Sequence, residues 1–249
     1  MKDVKSTLLD RRSIRRYERE QITAEQIEFI REAIRNTPTS YNGQQYSVID
    51  ITDTETKLAL EAMTGQKQIK TCSHFMLFCA DYHKINLMAE AKKVEMPAFA
   101  QTMDGIVVGV VDASLAMMSA IVASDAVGLG CCPIGFIRTK DPEGVCSMLG
   151  LPEGVFPVCG LAIGVPREMP DMHPKQPEDA LIHTDRYAPD STLLPLLKEY
   201  DAKVTEYNAT RSGTTSTNDW AEHIIGYYRE GMGYHTLAAM AAQGLAAKK

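Results

Sequence analysis

Within five residues near the N-terminus, Arg11, Arg12, Ser13, Ile14 and Arg15 gather three guanidiniums and one hydroxyl. A guanidinium binds phosphate through its planar fork and a hydroxyl adds a further donor, so this is the chemistry of a phosphate site. A solvated basic patch has the same composition, and the cluster alone leaves both readings open. Cys131 and Cys132 are adjacent while Cys72, Cys79, Cys146 and Cys159 are scattered, which makes neither a zinc CxxC pair nor a disulfide framework. They read as buried thiols acting as small hydrophobes. His74, His83, His183, His223 and His235 lack ligand spacing with acids or thiols, and no Ser-His-Asp order points to a hydrolase. Gly128-Leu129-Gly130 fails as a dinucleotide fingerprint, because Pro133 stands where the third glycine falls and the run follows a helix rather than a strand. Gly160 and Gly164 form a GxxxG that, in a strand-length run, reads as tight packing.

The elements that must position these residues are legible from periodicity. Val4 to Asp10 has helical spacing and leads directly into the cationic run. A second helix is announced by a Thr23/Gln26 capping box, an Ile22/Ile27 staple and an Ile27, Ile30, Ile34 stripe. Pro38 ends it and opens a loop, Pro38 to Gln44, before a β-branched strand from Tyr46 to Thr52. Leu58 to Met63 is expected to be a helix capped by Gly65, Phe75 to Ala80 a buried strand, and the polar, Met-bearing segment 83–100 a candidate lid. Strands are expected at Cys131 to Ile134 and Val155 to Val165, with a short helix from Asp141 to Leu149 between them. Beyond Pro166 come amphipathic helical pieces, Leu193 to Tyr207 and Trp220 to Tyr228, joined by a polar link from Arg211 to Asn218. With little core of its own, this stretch must lie across its own domain or a partner subunit. The expectation is one α+β domain: a core over 1–165 with a mixed, mainly antiparallel sheet flanked by helices, and an extended C-terminal arm over 166–249.

Composition narrows the class of function. At 249 residues and 45% hydrophobic content the chain can bury a full core, and a net charge of -6 argues against nucleic acid as the main partner. Met1 to Glu20 is charged and lacks an apolar run of signal-peptide length, so a cytoplasmic location is expected. Gly105 to Ser124 is long enough to span a bilayer, but Asp104, Asp112 and Asp125 recur through it and no Lys or Arg anchors its ends. It reads as a central helix buried on nearly all sides between a sheet and a second subunit.

The order of motifs resembles the nitroreductase family: RRSIRRY, the PTSYNGQ loop one helix later, the Gly65-Gln66-Lys67 turn, a long apolar helix ending in GLG, the Pro133-Ile134-Gly135 turn and the strand FPVCGLAIGVP. The HPKQP turn and Asn218-Asp219-Trp220 are similar to the branch of oxygen-insensitive NADPH nitroreductases and flavin reductases. The resemblance covers nearly the whole chain. It implies FMN as cofactor, NADPH or NADH as co-substrate, small-molecule acceptors and a homodimer, with no membrane or metal.

It also implies roles for particular residues. Arg11 and Ser13, with Arg12 between them, match the FMN phosphate site, and Arg15 matches the cation facing the N1/O2 edge of the flavin ring, where it stabilises the anionic reduced form. Thr39, Ser40 and Asn42 match the loop that reaches the flavin of the other subunit, and Gln66 a hydrogen-bonding position at the pyrimidine ring. Ile134 and Gly135 match the backbone approaching N5 and O4, while His173 and Lys175 match a second phosphate clamp. Three departures carry expectations. Arg11 replaces a frequent His, His173 replaces a usual Lys and makes one charge pH-dependent, and Phe136 stands where a second Gly is common and narrows the pocket. No side chain is expected to act as acid or base. The related branch places several arginines in the 211–218 link, where this chain keeps only Arg211, so a modest preference for NADPH is expected. Two alternatives stay open at this stage: reduction of free flavin or of a dedicated metabolite, and storage or sensing of FMN without turnover.

Overall fold

The computed structural model describes residues 1–230 and 234–246. In chain order the elements are α1 (Val4–Leu9), α2 (Ala24–Arg35), β1 (Tyr46–Ile51), α3 (Thr54–Thr64), α4 (Gln68–Thr71), β2 (His74–Asp81), α5 (His83–Ala91), α6 (Met103–Ala126), β3 (Gly130–Ile134), α7 (Pro142–Met148) and β4 (Val155–Gly164). Then follow α8 (Glu178–Leu181), α9 (Asp190–Thr210), α10 (Trp220–Arg229) and α11 (Thr236–Ala242). They form two compact units, one of residues 1–169 and 234–249, the other of residues 170–233.

The first unit is built on a four-stranded sheet in the order β1-β2-β4-β3, with every neighbouring pair antiparallel. The parallel contribution is an isolated bridge between Ser13 and Cys131. Both faces of the sheet are covered, which explains why β2 reads as an unbroken apolar run rather than an alternating one. Phe75, Leu77 and Cys79 point into a cluster with Leu60, Ile69 and Val145 from the helices on one side. Their neighbours Met76, Phe78 and Ala80 point into the other, with Ile30 and Ile34 of α2 and the alanines of α6. Two-residue strand periodicity thus divides one strand between two cores.

Local sequence accounts for the helix ends. Thr23 Oγ1 accepts the Gln26 N–H at 3.2 Å and the Gln26 side chain accepts the Thr23 N–H at 3.0 Å, closing the expected capping box. Gly65 caps α3 in a left-handed conformation, φ 71°.

Helix α6 is long and apolar enough to cross a membrane by length and composition. In the fold it is two-faced. Gly105, Gly109, Ala113, Ala116 and Ala120 are buried on one side, the small residues allowing close approach to β2, whereas Val107, Val111, Leu115 and Met118 are exposed on the other. The expectation of burial nearly all round holds for one face only within this chain, and the apolar residues at three- and four-residue spacing on the other form a continuous stripe.

The second unit consists of α8, α9 and α10. Tyr200 of α9 is buried and meets Trp220 edge to face at 5.6 Å between ring centroids. Asp219 caps α10 by accepting the Glu222 N–H at 2.7 Å.

Candidate functional site

The cationic run lies along the outer edge of β3. Ile14 donates its N–H to the Cys131 carbonyl at 3.0 Å, which continues the sheet by one short pairing. Ile14 and Tyr17 turn inward and are buried, leaving Ser13, Arg15 and Arg16 less covered. Gly130 permits this approach, because a Cβ there would sit 2.7 Å from the Ile14 side chain. The Tyr17 hydroxyl lies 2.6 Å from the Ile14 carbonyl and 3.1 Å from that of Ala162, so its proton ties the run to β4. Further along, Glu18 donates to the Val165 carbonyl at 2.9 Å and Arg167 to that of Arg16 at 3.0 Å.

Electrostatics place the guanidiniums. Burial pushes the Cys131 thiol up to about 12, with the Arg11 cation close enough to oppose the rise. Burial also raises Cys132, against which the Arg15 charge and a hydrogen bond from Gln68 act. The Arg11 charge thus acts on Cys131 and the Arg15 charge on Cys132. Both cysteines are buried and hold their protons at neutral pH, as small packing groups do. The Arg12 Nε is sealed from solvent without a hydrogen-bond partner among the described residues. An uncompensated buried donor beside further guanidiniums and a hydroxyl fits a phosphate-bearing cofactor, whose oxygens supply the missing acceptor.

Gln66 joins this group through a residue that motif reading misses. The Gln68 amide donates to Gln66 Oε1 at 2.9 Å, and Gln68 also reaches the Cys132 thiol. The signal for Gln68 was only a polar residue beside Ile69 on one turn of helix. Ile134 and Gly135 lie at the far end of β3, and a Cβ on Gly135 would come within 3.1 Å of the Arg138 guanidinium, itself donating to the Val158 carbonyl at 2.8 Å.

Thr39, Ser40 and Asn42 form a separate feature. The backbone is left-handed at Tyr41, Asn42 and Gln44, with φ of 55°, 52° and 53°, although none is glycine. The fully buried carboxylate of Asp112 on α6 holds this shape, accepting the Ser40 N–H at 3.0 Å and the Gln45 N–H at 3.3 Å. Thr39 Oγ1 accepts the Gln44 N–H at 3.2 Å.

His173 and Lys175 belong to the second unit and are exposed. His173 packs against Tyr207, 5.0 Å between ring centroids, in a cleft of about 260 Å³ also lined by Arg211, Trp220 and His223. The 211–218 link is folded rather than loose: Asp171 accepts both the backbone N–H and the hydroxyl of Ser212, at 2.7 and 2.8 Å, and Arg211 Nε donates to the Thr214 carbonyl at 2.7 Å. The segment read as a lid is α5 followed by a loop, which walls a cleft of about 550 Å³ with Tyr82 and Phe99. None of the expected flavin contacts lines that cleft.

Comparison with known proteins agrees with this fold. The model of the Nitroreductase family matches residues 8–165, and that of the Nitroreductase family C-terminal domain matches residues 173–248. The FMN reductase [NAD(P)H] of Bacillus subtilis (strain 168) is 33% identical over 250 residues, covering all of both chains. The oxygen-insensitive NADPH nitroreductase of Salmonella typhimurium is 34% identical over 218 residues, 87% of each chain. The structure of the hypothetical oxidoreductase YcnD from Bacillus subtilis superposes with a TM-score of 0.95 at 33% identity, over 100% of both chains. The antiparallel sheet with its covering helices, followed by the helical unit, is thus the fold that these matches share. This chain belongs to the nitroreductase family.

Proposed function

We propose that the chain is an FMN-dependent oxidoreductase that takes hydride from NADPH or NADH and delivers it to nitroaromatic, quinone or flavin acceptors. The observation that carries this reading is the cationic edge of β3, where the buried Arg12 Nε has no hydrogen-bond partner among the described residues. Bound FMN would supply the hydride chemistry. Arg11, Arg12 and Ser13 would hold the phosphate, and His173 and Lys175 of the second unit are kept as an expectation from sequence alone. Arg15 would supply a cation that favours the reduced, anionic form of the cofactor. Gln66 and the Ile134–Gly135 backbone would supply hydrogen bonds to the ring of the cofactor. Nicotinamide and acceptor use the same face in turn, in ping-pong order, and no side chain transfers a proton.

The working form is a cytoplasmic homodimer. The exposed stripe of α6 supports this, together with an apolar groove of about 480 Å³ where Leu115, Met118 and Val122 meet Val4 and Phe29. In such a dimer Thr39, Ser40 and Asn42 would serve the flavin of the partner subunit.

The test is anaerobic mixing of the FMN-loaded protein with NADPH and with NADH. Bleaching of the flavin by nicotinamide, then reoxidation by a nitroaromatic or quinone, is the expected result. Absence of bleaching with both nucleotides overturns the proposal in favour of storage or sensing. With Arg211 as the one guanidinium of its link, kcat/KM favours NADPH by about fivefold, since an exposed contact to phosphate contributes on the order of 1 kcal/mol. A preference above about a thousandfold means that other residues read the 2′-phosphate.

A further inference from the structure

We propose that Glu168 is a positioning residue of the flavin site: its carboxylate fixes the backbone from which Arg15 reaches the cofactor, although its charge taken alone opposes an anion there. The inference rests on Arg15 facing the flavin, as set out above. A carboxylate among arginines invites the simple reading of a salt bridge, and the geometry is different. Glu168 Oε1 accepts the backbone N–H of Arg15 at 2.8 Å and that of Arg16 at 3.2 Å. Its other oxygen lies 3.7 Å from the Arg16 Nε. The Arg15 guanidinium forms no ion pair with this carboxylate, and its own hydrogen bond is a long one, 3.5 Å from Nη1 to the Ser13 carbonyl. Glu168 therefore orders the Arg15 backbone and leaves its cation available.

The surrounding bonds give this contact leverage. The Arg167 N–H bonds the Arg16 carbonyl, so residues 15–16 and 167–168 clasp each other where the chain leaves β4. The Cys132 thiol feels both the Arg15 cation and the Glu168 anion, which places the two opposite charges near one spot on the β3 edge. Deleting Glu168 thus has two effects of opposite sign. Coulomb attraction for an anionic cofactor grows, while the frame that aims Arg15 is lost. For a bystander carboxylate the first effect dominates, and for a positioning residue the second.

The experiment is FMN affinity of the apo-protein, read by quenching of flavin fluorescence, for the wild type, Glu168→Gln, Glu168→Ala, Arg15→Ala and the Glu168→Ala/Arg15→Ala double variant. Expected are an increase in Kd of about tenfold for Glu168→Ala and recovery of most of that loss in Glu168→Gln, which keeps an acceptor oxygen. The double variant should bind no worse than Arg15→Ala alone, because the frame has nothing left to aim. Equal or tighter binding by Glu168→Ala, in a protein set where Arg15→Ala weakens FMN, overturns the proposal. If Glu168→Ala does not fold, Glu168→Leu, of similar size and without an acceptor oxygen, decides in its place: weaker binding supports the frame, and unchanged or tighter binding overturns it. An unchanged Kd in Arg15→Ala removes the flavin-facing reading itself, and the role of Glu168 with it, so the two failures are distinct.

Discussion

The cationic run and the 39–45 loop are both short stretches outside the main helices and strands, yet they keep their shapes by opposite means. The run is extended and bonded to β3, β4 and the segment just beyond, so several weak constraints share the task. The loop bends through three left-handed non-glycine residues, and one buried carboxylate ties both of its ends. A region held by many partners loses precision gradually when one is removed. A region whose two ends share one partner loses more with that partner.

The largest expected effect breaks the site without disturbing either frame. Exchanging Arg11 and Arg15 together for Ala removes two charge-assisted contacts of about 1.5 to 3 kcal/mol each, weakening FMN by about a hundredfold or more. Retention of FMN through dialysis by that variant contradicts the assignment. Next is Asp112→Ala, which strands two backbone donors in the interior and costs about 2 to 4 kcal/mol in urea unfolding. Rapid proteolytic cleavage within residues 39–45 should accompany it, and a loop as resistant as in the wild type would show that Asp112 is not its sole support. Smaller still is Tyr41→Gly. Tyr41 is 95% exposed at φ 55°, so the change removes strain and little packing, and the unfolding midpoint should rise by the equivalent of about 0.5 to 1 kcal/mol while acceptor turnover falls. An increase in both stability and turnover would mean that the loop shape serves no purpose. The smallest effect concerns thiols on the rigid side. Burial holds Cys132 above the ordinary thiol range and Cys131 at about 12, so the folded protein should react negligibly with a thiol reagent at pH 8 and fully in denaturant. Fast labelling of Cys132 in the folded state would indicate that the β3 edge opens.

What the sequence disclosed of this comparison follows the range of the interactions. Thr23 and Gln26 reveal a helix start because the capping box closes within three residues, and Phe75 to Ala80 reveals a strand because its covering is apolar on both faces. The cationic run is legible as chemistry for the same reason, its members being adjacent. Asp112 and Glu168 are not legible. Each is an ordinary acid in a stretch of other character, and its meaning lies in backbone donors far away in sequence. Gln68 was hidden because α4 is a single turn, too short for periodicity to register. The helix read around Leu193 to Tyr207 begins earlier, at Asp190, since Pro195 is tolerated in its early turns. The open face of α6 could not be separated from the closed one by composition, as both are apolar.

The clasp between residues 15–16 and 167–168 also bears on how the protein is made. Its partners lie 153 positions apart, and the Ile14–Cys131 pairing is almost as distant. On the ribosome the N-terminal arginines emerge first but stay without their frame until β3, β4 and Glu168 have been synthesised. Contacts of such long sequence separation are costly to close and form late in folding. The cofactor pocket is therefore a product of completed folding rather than a nucleus for it. FMN added to refolding protein should leave the folding rate nearly unchanged and slow unfolding, so that occupancy lengthens the lifetime of finished molecules without hastening their birth.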